Sequence, residues 1–247
     1  MKTITFKYNS IIIIESLRPE DNKTGKDLCD ALKTSYPDHK GIQYIPVTSK
    51  NDFIELMNEI KKLMLENDEF RPIIDIETHG DETQTQFTDG SFMKWDELMN
   101  ITREINKICN NELVIFLACC EGYKFINSMS VSQYSPCGYL YSPSEEIYDK
   151  DVKEATIELF NTLTLDGSLD KAADLMEKRN IHCFKSEIFF LNALTIALID
   201  DHRGKNQLRT DTKRAEFIDD LSKAFLGYIN NEYTNHVIKC FNESKDK

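Results

Sequence analysis

Two short stretches of this 247-residue chain carry residue types suited to covalent chemistry. "IDIETHGDE" holds His79 followed by Gly80, and "LVIFLACCEG" holds Cys119 and Cys120 just ahead of Gly122. A cysteine attacks as its thiolate, and an imidazole within reach can take or shield the thiol proton. Each stretch is an apolar run that stops on the reactive residue, with Cys120 lying 41 positions after His79. If the two runs are neighbouring strands, imidazole and thiol emerge at the same edge of one sheet. Gly80 then allows close approach of backbone to a scissile carbonyl. Its N–H, with that of Cys120, would supply an oxyanion hole.

The elements needed to bring those residues together are legible along the first two-thirds of the chain. Short β-branched or apolar runs at 10–17, 41–49, 71–80, 112–120 and 137–143 read as strands, with Pro46 suited to a strand end rather than its middle. Between them, 24–36, 51–67 and a segment from about Lys94 show helical spacing, and further helices are expected over 149–165 and 168–178. Asn51 or Ser49 is placed to cap the second helix, and Asp89-Gly90 to make a turn. Strand–helix alternation implies an α/β fold: a three-layer α/β/α sandwich with a mostly parallel sheet, whose chemistry collects at the carboxyl ends of the strands. Beyond about residue 183 no strand is expected. Segments 184–200 and 214–241 read as helices, so the chain divides into 1–180 and a helical C-terminal extension, 181–247.

Composition narrows the functional classes. With 40% hydrophobic and 29% charged residues this is an ordinary globular sequence. A net charge of −12 without a basic cluster argues against direct nucleic-acid binding. No membrane-length apolar run or signal-peptide pattern is present, and seven cysteines in mostly apolar segments do not form a disulfide framework, so a cytoplasmic location is expected. "SIIIIESLRPEDNKTG" offers no glycine-rich phosphate loop, which weakens a nucleotide-binding alternative.

Four apolar-rich residues leading to His-Gly, then an apolar strand leading to Ala-Cys or Cys-x-Gly, resemble the pattern of caspase-like cysteine peptidases. The similarity extends to the bacterial CHAT branch through "IDIETHGDE", "DGSFMKWDELMNITREINK" and "NNELVIFLACCEGY", and covers roughly residues 10–178. It implies a hydrolase: a cysteine protease with a Cys-His dyad, His79 as general acid/base, a cysteine nucleophile, and no metal or other cofactor. Repeat-linked CHAT proteins read Ser-Ala-Cys-x-Thr-Gly, which would lay the nucleophile on Cys119. Caspases and stand-alone CHAT proteins set it two residues before the glycine, at Cys120. The stand-alone pattern fits better, with Cys119 kept as the alternative. The branch often serves antiviral defence or regulated cell death, implying a protein substrate such as a gasdermin-like effector and an activating sensor or partner protein. A catalytically silent interaction module of the same fold is the competing reading.

The remaining candidates carry bland explanations beside the functional ones. "SPSEEIYDKD" follows the fifth strand, a region that contributes to the specificity pocket in this fold family. Glu145, Glu146 or Asp149 would attract a basic substrate residue there, or merely form a solvated loop and helix start. Asp81 and Glu82 would orient His79 or sit in solvent. A zinc site from His79, Cys119, Cys120 and Cys137 lacks ligand spacing. Cys29, Cys109, Cys137, Cys183, Cys240 and Trp95 read as packing.

Overall fold

The computed structural model describes residues 8–39, 41–130 and 133–193, with Lys213 and Glu216. Its elements run β1 (Ser10–Ser16), α1 (Thr24–Ser35), β2 (Ile42–Pro46), α2 (Lys50–Glu66), β3 (Pro72–Gly80), β4 (Gln84–Gln86), β5 (Phe92–Lys94), α3 (Trp95–Ile108), β6 (Val114–Ala118), a 3₁₀ turn (Gly122–Ile126), β7 (Tyr139–Pro143), α4 (Asp149–Asp166), α5 (Leu169–Glu177) and β8 (Ile181–Lys185). The main sheet has the order β2-β1-β3-β6-β7-β8. The β1–β2, β1–β3, β3–β6 and β6–β7 pairs are all parallel. This is an α/β fold with the expected three layers.

A parallel strand covered on both faces must be apolar at every position rather than at alternate ones. β1 meets that demand over its four isoleucines, and its polar residues Ser10, Glu15 and Ser16 are buried as well. Ile11, Ile13, Ile73 and Phe116 face a core completed by Leu28 and Leu32 of α1 and Leu159 of α4. The alternating residues Ile12, Ile14, Ile76 and Leu117 are buried on the opposite face, as are Phe53 of α2 and Leu98 of α3. Ser49 caps α2 through a reciprocal pair of bonds: its hydroxyl accepts from the Asp52 N–H at 3.1 Å, and the Asp52 carboxylate accepts from the Ser49 N–H at 3.0 Å.

Two departures from the sequence expectation matter. β3 runs past the sheet and turns back through the antiparallel β4–β5 hairpin, whose three-residue strands are too short to register as a periodic signal. The segment expected to be wholly helical from 181 opens instead with β8, where buried Ile181 and Phe184 flank an exposed His182. That short apolar–polar alternation is satisfied by adding a strand to β7. Residues 186–193 are helical, so the helix expected over 184–200 is described only that far, and the one expected over 214–241 lies outside the described residues. The chain divides into two compact units, residues 1–128 with 136–184, and residues 129–135 with 185–247. Among the described residues no helix is long and apolar enough to cross a membrane.

Removing the Ser49 hydroxyl leaves one first-turn N–H of α2 unsatisfied. Ser49→Ala should cost about 1 kcal/mol, read as a lowered midpoint in urea denaturation.

Candidate active site

The parallel register of β3 on β6 fixes which side chains share a face. Glu77 stands opposite Ala118. The ladder ends there, and Cys119 and Cys120 lie in the turn that follows β6. Paired residues in a parallel ladder point the same way, and successive residues point oppositely. Glu77 faces α1, where its carboxylate accepts from the Thr24 hydroxyl at 2.7 Å. His79 follows on that side, and Ile147, beside Cys120, packs against the core of the same face. Nε2 of His79 lies 2.7 Å from Oδ2 of Asp21 in the β1–α1 loop, and Sγ of Cys120 lies 3.9 Å from the Ile147 carbonyl in the β7–α4 loop.

Thr78 and Cys119 occupy the other side. Thr85 donates to the Thr78 hydroxyl at 2.6 Å, and the Cys119 thiol is hydrogen-bonded to Thr78. The Cys119 sulfur fills space that two glycines leave open. A Cβ at Gly80 would stand 2.9 Å from it and 2.7 Å from the Cys120 carbonyl oxygen, and one at Gly122 would also collide with it and with Ser142. Cys119 is 3% exposed, and burial, with the adjoining Cys120, pushes its thiol well above the ordinary cysteine range. Such a thiol yields little thiolate at neutral pH. Cys120 is half-buried, and among the described residues its N–H makes no hydrogen bond, which leaves that donor available.

His79 is oriented by a residue the sequence did not single out. Asp21 Oδ2 accepts from the Arg18 N–H at 2.8 Å as well as holding the imidazole. Desolvation works against the Asp21 carboxylate, but the His79 and Arg18 hydrogen bonds prevail and hold it below the usual value. Asp81, one of the two residues considered for this task, is committed elsewhere. Its carboxylate accepts from the Thr83 N–H and hydroxyl and from the Gln84 N–H, and its carbonyl takes the indole N–H of buried Trp95 at 3.1 Å. Glu82 is exposed. The signal that could have found Asp21 is the carboxyl-end rule itself, since "LRPEDNK" leaves β1 beside β3. No hydrogen bond joins imidazole to thiol: the partner of His79 is Asp21, and that of Cys120 is Ile147.

The β7–α4 loop, whose Ile147 carbonyl meets the Cys120 thiol, lines a cavity of about 530 Å³ that neither His79 nor Cys120 borders. Glu145 and Glu146 line it, together with Ile147, Lys178, Arg179 and His182. Arg179 is ion-paired with Glu154 and Glu158. Asp149 does not line the cavity; its carboxylate accepts from the Asn22 side chain at 3.0 Å on the β1–α1 loop. Among the described residues no group of three or more His, Cys, Asp or Glu is arranged to hold a metal ion.

Compared with known families and curated proteins, the chain matches no family model and no curated relative.

Gly80 is required for the close approach of β3 to the residues after β6 rather than for its backbone angles. Gly80→Ala should therefore cost about 1–3 kcal/mol through overpacking against the Cys120 carbonyl, measured by urea denaturation.

Proposed function

We propose that this chain is a caspase-like cysteine endopeptidase with His79 and Cys120 as its catalytic dyad. The observation that carries the reading is the convergence, at the carboxyl end of a parallel sheet, of an imidazole oriented by Asp21 and a half-buried thiol, while the neighbouring thiol of Cys119 is buried. With Asp21 on Nε2, the other ring nitrogen is left to serve as base. His79 takes the Cys120 proton, and the thiolate attacks the scissile carbonyl. The N–H groups of Gly80 and Cys120 stabilise the oxyanion. His79 returns the proton to the departing amine, and water then resolves the thioester to release acid and free thiol. The step uses no cofactor. Asp21 joins the dyad as its positioning residue, a role that sequence reading did not assign.

The cavity is the proposed specificity pocket: Glu145 and Glu146 would draw a basic substrate side chain, against the opposing charge of Lys178 in the same lining. Asp149, turned toward Asn22, is not part of it. The resemblance to the CHAT branch supports a cytoplasmic role in antiviral defence, with a protein substrate such as a gasdermin-like effector and an activating partner. A second reading, a silent interaction module, draws on the absence of a hydrogen bond between His79 and Cys120.

Alkylation separates the two. Iodoacetamide should modify Cys120 well ahead of the similarly half-buried Cys183, whereas equal rates at the two support the silent module. With new N-termini mapped after incubation in lysate, Cys120→Ala should lower cleavage at least about a thousandfold, and Cys119→Ala should leave most of it. Cleavage that survives Cys120→Ala and vanishes in Cys119→Ala reverses the assignment.

A further inference from the structure

The β4–β5 hairpin forms part of the rim of the site, and the chemistry above leaves it unused. Its register continues outward from the imidazole. His79 on β3 pairs with Gln86 on β4, and Gln86 pairs in turn with Phe92 on β5. Residues directly opposite in an antiparallel ladder share a face, so His79, Gln86 and Phe92 form one row. The adjacent row, Gly80, Thr85 and Met93, faces the other way, and there Thr85 and Met93 are buried. Both short strands alternate in burial as that facing requires.

The outward face carries Gln84, Gln86, Phe92 and Lys94, of which Phe92 alone is apolar. Its side chain is 52% exposed. Isolated apolar residues are ordinary on a protein surface. What distinguishes Phe92 is its address, two strand spacings or about 10 Å along the row from His79.

The hairpin is firmly anchored, and on a definite side. The Thr88 N–H donates to Ser16 Oγ at 3.0 Å, the Asp89 N–H to the Thr48 carbonyl at 3.0 Å, and the Lys50 N–H to the Ser91 hydroxyl at 2.9 Å. Buried Phe87 packs on Phe53 of α2, with ring centroids 5.5 Å apart. The Arg18 guanidinium donates to the Gln86 side-chain carbonyl at 3.0 Å and fixes the middle of the row. Ser16 ends β1 and Thr48 follows β2, whereas Cys120 follows β6, and β1 and β6 flank β3 on opposite edges. The order along the rim is therefore thiol, imidazole, Gln86, Phe92.

We infer that Gln86 and Phe92 form the subsite for the substrate segment that follows the cleaved bond, with Phe92 receiving an apolar side chain. The inference rests on the reading of His79 and Cys120 as a dyad and extends it to substrate choice. In that chemistry the acyl half of the substrate stays on the Cys120 sulfur, while the amine half takes its proton from His79 and departs. The departing segment lies on the imidazole side and runs along the row, away from the thiol. An extended peptide advances about 3.3 Å per residue, so the second or third residue beyond the bond comes over the Phe92 ring. The phenyl group offers that residue apolar contact. Because the hairpin is already anchored, binding orders no loop there. The cavity beside Glu145 and Glu146 adjoins the loop over Cys120 and serves the other half of the substrate, so the two preferences are independent.

The test maps new N-termini in lysate for the parent chain, Phe92→Ala and Phe92→Leu, counting only cuts that Cys120→Ala abolishes. The parent should favour apolar residues at the second or third position after the cut. Phe92→Ala should slow cleavage about tenfold at sites with an apolar residue there and leave other sites within about twofold, while Phe92→Leu keeps most of the parent's rate. No apolar preference in the parent, or an equal loss at every site in Phe92→Ala, overturns the inference and leaves the dyad standing. Absence of any Cys120-dependent cut overturns the dyad reading, and the inference with it.

Discussion

The parallel pairing of β3 with β6 is the constraint on which the candidate site rests. Side-chain direction alternates strictly along a strand, so a slip of one residue would turn every residue of β6 from Val114 to Ala118 to the opposite face of the sheet. The register is held from both sides of the sheet. Ile73 opposite Val114 and Asp75 opposite Phe116 face one layer of helices, while Ile74 opposite Ile115 and Ile76 opposite Leu117 face the other. All but Asp75 are buried apolar residues, and none can turn outward without losing about 1.5–3 kcal/mol of burial. The space beside Gly80 and Gly122, filled by the Cys119 sulfur, closes the register at its functional end.

Onto that frame the loops at the carboxyl ends bring groups from distant parts of the chain. The β1–α1 loop supplies Asp21 and the β7–α4 loop supplies the Ile147 carbonyl. The same edge also carries an unusual electrostatic load. Glu15 is compensated by the first N–H groups of α1, where the helix dipole favours an acid. Asp75 and Glu77 have no such compensation for their free oxygens. A buried carboxyl without a cation is tolerated by keeping its proton, so this part of the sheet stores protons at a pH where surface carboxyls have long lost theirs.

Much of this was legible in the sequence, and the remainder was hidden for physical reasons. The alternation of apolar runs with helical spacing gave the layers, and the residues ending β3 and following β6 stood out because reactive side chains rarely close a buried run. Hidden were relations that depend on which residues meet across space. Asp21 contacts His79 across 58 positions of sequence, and nothing local marks it among the acids of its loop. The choice between Cys119 and Cys120 turns on facing, which needs the register. Glu145 and Asp149 sit four residues apart in one acidic stretch, yet only the former lines the cavity, because Asp149 begins a helix and turns to Asn22. Asp75 and Glu77 look like the polar half of an alternating edge strand, and only the pairing of β3 between β1 and β6 buries them. β8 and the β4–β5 hairpin are too short for periodicity to reveal.

The opposed facing of the two adjacent cysteines also governs how the site meets an oxidant. Neighbouring thiols on a flexible chain can protect each other, one capturing the oxidised form of the other as a disulfide. Here the Cys119 sulfur is locked between two glycines on the α2–α3 side, and the Cys120 sulfur lies across the sheet under the β7–α4 loop. Joining them would require the backbone of the turn after Ala118 to rotate. A sulfenic acid formed on Cys120 thus finds no rescuer in its sequence neighbour, and its repair depends on a thiol arriving from solution.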